Sequence, residues 1–294
     1  MKAIVTGGAG FIGSHLAERL IHMGVKTIIL DDLSSGYDKN IPSGAIFRHV
    51  DISNWDELLL VEDDFKDCDV IFHNAASKKN ICLRDPVRDL AVNSGGTLML
   101  LQLAERNNVL KFVHTSTGSV VGSFDGTITE EAPTRPVSYY GVSKLAGERY
   151  VQVFRQMYGL NTTVIRPHHI FGTRQESLDG LGGVIAIFKR RITEGKPVYI
   201  FGDGNQQRLF THVTSLVDAN IEAWINPIST GKIYNVATEE KTTINELAKM
   251  MGAEHVIYEK ELPGDIHKFD MDNSLIRKEL GIKFMKLKDG LKVI

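Results

Sequence analysis

The sequence predicts an α/β protein: a doubly wound parallel sheet in the first part of the chain and a smaller C-terminal domain after it. Three observations predict it. A strand, a glycine turn and a helix start follow one another at the beginning of the chain, and strand-like and helix-like patterns then alternate through the first half. Beyond Pro167 the texture changes to longer polar connections, glycine clusters at 180–183 and 202–204, and short apolar runs. This places the domain boundary between 1–166 and 167–294, with a later segment near 210–236 rejoining the first domain.

Lys2-Ala3-Ile4-Val5-Thr6 is an apolar run suited to a strand buried on both faces. Thr6-Gly7-Gly8-Ala9-Gly10-Phe11-Ile12-Gly13 follows, and Ile12, Leu16, Leu20 and Met23 recur at helical spacing. Gly24 caps that helix, and Lys26-Thr27-Ile28-Ile29-Leu30 is the second strand. Alone, the glycine pattern also fits an ordinary strand-to-helix turn. Between two such strands each glycine has a mechanical job in holding a dinucleotide: a tight turn, a close approach of backbone N–H groups to a pyrophosphate, and close packing of helix on strand. The pyrophosphate then sits at the positive end of the helix. Asp31 closes the second strand, where a carboxylate bonds the adenosine ribose hydroxyls and repels a 2′-phosphate, so the expected cofactor is NAD rather than NADP. Asp32 competes for that role; its other reading is a plain turn residue.

Ala45 to Val50 is a third strand ended by Asp51, and Asp69 to His73 a fourth, followed by Asn74-Ala75-Ala76, small enough to let backbone approach a cofactor. Val87 to Asn107 reads as one long helix with Leu90, Leu98, Leu101 and Leu103 as its apolar positions. Lys111 to Thr115 is a strand that delivers Ser116 and Thr117 at its carboxyl end, the edge where open α/β sheets bind ligands. Val137 to Tyr158 is helical, with Leu145, Val151, Phe154 and Tyr158 as a packing stripe. Thr162 to Arg166 returns to strand and Pro167 ends it, while Lys232 to Val236 rejoins the sheet or its edge.

With 294 residues, 43% hydrophobic and 24% charged, the composition is that of a soluble globular protein of roughly two domains. A net charge of -2 argues against a nucleic-acid groove or an anionic membrane as partner. No apolar run is long enough to span a bilayer, and the first strand leaves no room for a signal peptide, so the expected compartment is the cytoplasm. Cys68 and Cys82, the only cysteines, form no Cys-x-x-Cys pair, which argues against a disulfide framework or a zinc site. His168 and His169 are adjacent, and neighbours on an extended segment point apart, so no metal is expected there.

Tyr140 and Lys144, four residues apart, share one helix face. A tyrosine titrates at about 10 when unperturbed; a neighbouring ammonium and a cationic nicotinamide ring favour the phenolate and lower that value. A tyrosinate so placed takes a proton from a substrate hydroxyl while the adjacent carbon gives up hydride. The spacing alone is common. Behind a dinucleotide loop it carries weight.

On these residues the chain resembles the extended short-chain dehydrogenases/reductases, of the NAD-dependent sugar-nucleotide epimerase/dehydratase type, with a Rossmann-type first domain and a substrate-binding second domain. Thr6-Gly7-x-x-Gly10-x-x-Gly13, Asp31, Asp51-Ile52, His73-x-Ala75-Ala76, Asn93-x-x-Gly96-Thr97, Ser116-Thr117 and Tyr140-x-x-x-Lys144 stand in the family's order, as do Arg166, Phe171-Gly172, Gly202-Asp203-Gly204-x-Gln206-x-Arg208 and Tyr234-Asn235-Val236. The resemblance implies that Asp51 and Ile52 contact adenine, Ala75 the diphosphate region and Asn93 the loop near the nicotinamide. It further implies that Lys144 bonds the nicotinamide ribose, that Thr117 shares the substrate hydroxyl with Tyr140, and that Arg208 grips the nucleotide pyrophosphate. A homodimer through the helices near 87–107 and 138–158 is implied as well.

The departures narrow the chemistry. Relatives that eliminate water carry an Asp-Glu pair after the Ser/Thr, where this chain has Gly118 and Ser119. A 4-epimerase needs no such pair, so the expected activity is 4-epimerisation of a nucleotide-activated sugar; the alternatives are a reductase, dehydrogenase or atypical dehydratase, and a catalytically silent NAD-binding protein. On the substrate side His169 replaces the family's Asn, Leu262 replaces an Arg before Gly-Asp, and Val121 a Tyr. Lys78 and Lys79, in the loop facing the sugar, are candidates to bind a phosphate or an acidic sugar, or else a solvated basic pair.

Overall fold

The computed structural model describes residues 1–261 and 270–294; the side chains of Lys79 and Asn80 lie outside that description, as does Leu262. The strands are β1 (Lys2–Thr6), β2 (Lys26–Asp31), β3 (Ile46–His49), β4 (Val70–His73), β5 (Lys111–Thr115), β6 (Thr162–Pro167), β7 (Ile170–Phe171), β8 (Val198–Phe201), β9 (Gln207–Arg208), β10 (Thr211–His212), β11 (Ile233–Val236), β12 (Thr242–Thr243) and β13 (Val256–Glu259). The helices are α1 (Phe11–His22), α2 (Trp55–Leu60), α3 (Lys79–Cys82), α4 (Pro86–Asp89), α5 (Thr97–Arg106), α6 (Tyr139–Tyr158), α7 (Val184–Thr193), α8 (Val213–Ile225), α9 (Ile244–Met250), α10 (Ser274–Leu280) and α11 (Leu287–Gly290).

Seven strands form one parallel sheet in the order β11-β6-β5-β4-β1-β2-β3. Alternation along each strand divides the core in two. Ala3, Val5, Ile29, Phe72 and Val113 face α1, α8 and α10, whereas Ile4, Ile28, Ile71 and Phe112 face α5 and α6. Every one of these is buried, which is why the strands read as continuous apolar runs. A third cluster, with Ile185, Phe188, Val198, Ile200 and Leu247, packs α7, β8 and α9 together in the C-terminal part. The chain order reverses between β1 and β4, and that crevice at the carboxyl edge is the topological switch point.

Two local expectations are corrected. The segment expected as one helix over Val87 to Asn107 is α4, a π-helical stretch over Leu90–Gly96, and α5. Gly96 lies so close to β3's exit that a Cβ there would stand 2.8 Å from Ile52 Cδ1, and Thr97 Oγ1 bonds Asn93 O at 2.7 Å, so side-chain bonding and close approach replace a regular helix. Tyr158, expected in the packing stripe of its helix, is largely exposed beside Phe154. Pro167 closes β6 as expected, paired with Val236, while β5 has already stopped pairing at Ile165. The segment 233–236 lies at the edge of the main sheet beside β6. Among the described residues no helix is long and apolar enough to cross a membrane.

Candidate active site

A cavity of about 390 Å³ runs along the carboxyl edge of the sheet. Its wall brings together Gly7, Gly10, Phe11, Ile12, Gly13, Asp31, Asp32, Asp51, Ile52, Ala75, Lys78, Thr117 and Tyr140. Asn93 and Lys144 lie behind that wall, fully buried. Arg208 on β9 and His169, between β6 and β7, lie outside it, with the His169 ring against Phe210.

The turn after β1 explains its glycines. Gly7 has φ +68°, and a Cβ there would stand 2.7 Å from Ala75 N. A Cβ on Gly13 would stand 2.2 Å from Gly7 O, so the first turn of α1 packs against the loop only without a side chain. The helix opens on Gly10, which offers no side-chain cap, leaving N–H groups directed at the cavity. The Thr6 hydroxyl accepts from Ala75 N at 3.1 Å and bonds His73 Nδ1 at 2.7 Å; His73 Nε2 bonds Thr97 Oγ1 at 2.8 Å. Burial holds that imidazole well below its ordinary pKa, and the Lys144 charge adds to the effect. The β1 and β4 ends are thereby tied together, and the uncapped, glycine-lined cradle fits the diphosphate of a dinucleotide.

At the next part of the wall, the Asp31 carboxylate accepts from Ala9 N and Leu33 N, both at 2.9 Å. Burial raises its pKa, and the two N–H groups pull against that rise. Asp32 takes Ser34 N at 3.0 Å as in a turn, and Asp51 takes Ser53 N at 2.9 Å. Both carboxylates also meet Arg88, a cavity residue that sequence reasoning missed. No period or motif marks it; only the fold brings it there.

Helix α6 starts on Ser138, whose Oγ accepts from Gly141 N at 3.1 Å, and carries Tyr140 to the cavity in its first turn. Burial pushes the Tyr140 phenol up to about 12, and the Thr117 hydroxyl on the same cavity wall pulls against that rise. Lys144 is not among the groups that lower the phenol. Lys144 Nζ is tethered to Thr115 O at 2.7 Å, and the Asp89 carboxylate adds to the rise of the phenol. Burial lowers the Lys144 ammonium to about 8, while Glu148 and Asp89 hold it up.

Asp89 is a second group that sequence reasoning missed. Its Oδ1 accepts from Cys82 Sγ at 2.8 Å, Asn93 Nδ2 at 2.6 Å and Ser143 Oγ at 2.9 Å. Asn93 Oδ1 in turn accepts from Ser77 N at 2.8 Å, which holds the loop carrying Lys78. Asn93 therefore acts on the cavity through that loop. Beside Thr117, a Cβ on Gly118 would stand 1.7 Å from His168 Cε1: the imidazole fills the space a side chain at 118 would take. Burial lowers His168 to about 3, with Arg166 adding to the effect, so it is neutral; among the described residues its Nε2 has no hydrogen-bond partner. Among the described residues no cluster of three His, Cys, Asp or Glu is arranged to hold a metal.

Comparison with known proteins agrees with this fold. The family model described as NAD dependent epimerase/dehydratase matches residues 3–237. The chain is 36% identical to the UDP-glucose 4-epimerase of Mycolicibacterium smegmatis over 305 residues, covering 96% of this chain and 93% of that protein. The UDP-glucose 4-epimerase of Thermotoga maritima, solved with UDP-glucose, superposes with a TM-score of 0.93 at 34% identity, covering 100% of this chain and 97% of its own. The Thermus thermophilus UDP-glucose 4-epimerase complex with NAD gives a TM-score of 0.90 at 32% identity, with coverage of 100% and 97%.

Proposed function

The chain belongs to the NAD-dependent epimerase/dehydratase family, and from that premise we propose that it catalyses NAD-dependent 4-epimerisation of a nucleotide-activated sugar of the UDP-sugar type, through a transient 4-keto sugar. The observation that carries the reading is that Thr117 and Tyr140 line the same cavity as Gly7, Gly13 and Asp31. Its closest support from other proteins is that the Thermotoga relative is solved with UDP-glucose and the Thermus relative with NAD.

In this reading Gly7, Gly10, Phe11, Ile12 and Gly13 hold the cofactor diphosphate, and Asp31, with Asp32 beside it, the adenosine ribose. Asp51 and Ile52 take the adenine, Ala75 and the Asn93-supported loop the remainder, while Lys78, His169 and Arg208 serve the sugar nucleotide. NAD, when bound, supplies a hydride acceptor and a positive charge. Tyr140 Oη takes the proton of the sugar 4-hydroxyl and returns it after the keto-sugar has turned over; a phenol resting at about 12 is well suited to the second half and must be drawn down for the first. Thr117 Oγ1 shares the hydroxyl, and Lys144, anchored on Thr115 O, is the fixed cation beside the nicotinamide ribose. Gly118 and Ser119, with His168 filling the space beside them, leave no carboxylate pair for elimination of water.

The test is a panel of UDP-glucose, UDP-galactose and their N-acetyl forms followed by NMR. A C4 epimer formed without change in absorbance at 340 nm supports the reading, and stoichiometric oxidation of added NADH selects the reductase instead. Residues 1–166 with the returning 210–236 are read as the NAD-binding unit and 167–294 as the substrate unit. A homodimer through the helices near 87–107 and 138–158 is supported by exposed apolar side chains at Val87, Val142, Val153 and Met157; a monomer mass by light scattering rejects it. The free thiols Cys68 and Cys82 suit a reducing cytoplasm.

A further inference from the structure

Three carboxylates, Asp31, Asp32 and Asp51, line one part of the cavity. Left alone they would repel one another and the anionic cofactor. Arg88 answers two of them. Its Nη1 donates to Asp51 Oδ2 and to Ser53 Oγ, both at 2.6 Å, and its Nη2 donates to Asp32 Oδ2 at 2.9 Å. The ion pairs raise the guanidinium pKa further, and Arg88 holds Asp51 below the usual carboxylate range. Its backbone is fixed as well, because Asp85 Oδ1 accepts from Arg88 N at 2.9 Å at the start of α4. The ends of β2 and β3 are thus bridged from α4 by a planar fork that lysine cannot reproduce.

We propose that Arg88 is a cofactor-retaining and cofactor-selecting residue. By bridging Asp32 and Asp51 it closes the adenosine part of the cavity and keeps NAD bound, and because its donors are committed to those carboxylates it does not receive a 2′-phosphate. Released from Asp32, the same guanidinium becomes a phosphate ligand. This inference rests on the reading of Asp31 and Asp51 as adenosine contacts.

The test uses the whole protein stripped of nucleotide, with NAD and NADP titrated by calorimetry and retained cofactor weighed by native mass spectrometry. Arg88→Ala is expected to weaken NAD by about tenfold or more, with Arg88→Lys recovering only part. Asp32→Ser is expected to gain about tenfold in NADP affinity, and the Asp32→Ser/Arg88→Ala pair to lose that gain. Should Arg88→Ala fold poorly, Arg88→Gln keeps the stem and removes the charge. NAD affinity within twofold of the parent in the Arg88 variants, or an NADP gain that does not depend on Arg88, overturns the proposal. If Asp31→Ala and Asp51→Ala also leave NAD affinity unchanged, the adenosine placement itself fails; if they lose it while Arg88→Ala does not, the inference alone fails.

Discussion

The part of the cavity read as the cofactor cradle and the part read as the sugar side are built differently. Around Gly7 to Gly13 the cradle is backbone, set by a strand, a turn and a helix that are consecutive in the chain, and its shape depends on absent side chains. Around Thr117 the wall is made of side chains from remote segments, Tyr140 from α6 and Lys78 from the loop held by Asn93, and the imidazole of His168 packs over the neighbouring Gly118. A backbone cradle tolerates little change and binds one kind of ligand. A wall of side chains can be altered one residue at a time, and that is where this chain departs from its family's pattern.

Tyr140→Phe is the largest expected break in the comparison. It removes the proton carrier and should lower kcat by about a thousandfold while native mass spectrometry still finds NAD. If every sugar-nucleotide activity survives it, the mechanism proposed for this site is wrong. Gly13→Ala attacks the other part: its Cβ would sit 2.2 Å from Gly7 O, where neither backbone can yield cheaply. NAD binding should fall by about a hundredfold, with a lower melting temperature; normal affinity would show that the cradle is softer than its contacts imply.

Gly118→Ala sharpens the contrast on the sugar side. The added methyl meets His168 at 1.7 Å, so kcat/KM should drop by about tenfold with NAD affinity unchanged. The paired change His168→Ala should recover most of it, and a failure to recover would place the damage on Thr117 instead. Lys78→Ala and Arg208→Ala are expected to raise KM by several-fold and leave kcat near its parent value; an effect on NAD affinity instead would move Lys78 to the cofactor.

The smallest expected effect lies outside the site and separates structural from functional buried charge. Lys111 is buried, bonded to Asn161 Oδ1 and Ser229 Oγ at 2.9 Å, and burial lowers it to about 8 from 10.5. Below pH 8 both folded and unfolded forms carry the proton and the burial cost is fully present. As pH rises from 8 to 10.5 the folded form releases its proton first, so this group adds stability across that window. Lys111→Met should flatten the rise seen in urea melts, in part only, because Lys144 titrates in the same range. An unchanged slope would mean that Lys111 is not depressed.

The sheet was largely readable in advance because burial on both faces imposes apolar runs, and β5 runs over the very residues expected, Lys111 to Thr115. The segment over 86–106 was not, because Gly96 against Ile52 and the Thr97–Asn93 bond are tertiary and local effects that override helical spacing. Nor does spacing alone say how Lys144 acts on Tyr140. Four-residue spacing fixes that the two share a face, while the tether to Thr115 O decides where the ammonium goes.

By itself the amino-acid order determined the strand-turn-helix cradle, the carboxylate closing β2 and the Tyr140–Lys144 face. Each depends on residues close together in the chain, where pleat and helix period set the geometry. Tertiary structure alone decided that Arg88 bridges Asp32 and Asp51, that Asp89 collects Cys82, Asn93 and Ser143, and that His168 occupies the room left by Gly118. Those partners come from separate elements, and only the packing of the helices on the sheet edge brings their donors, acceptors and free volume into register.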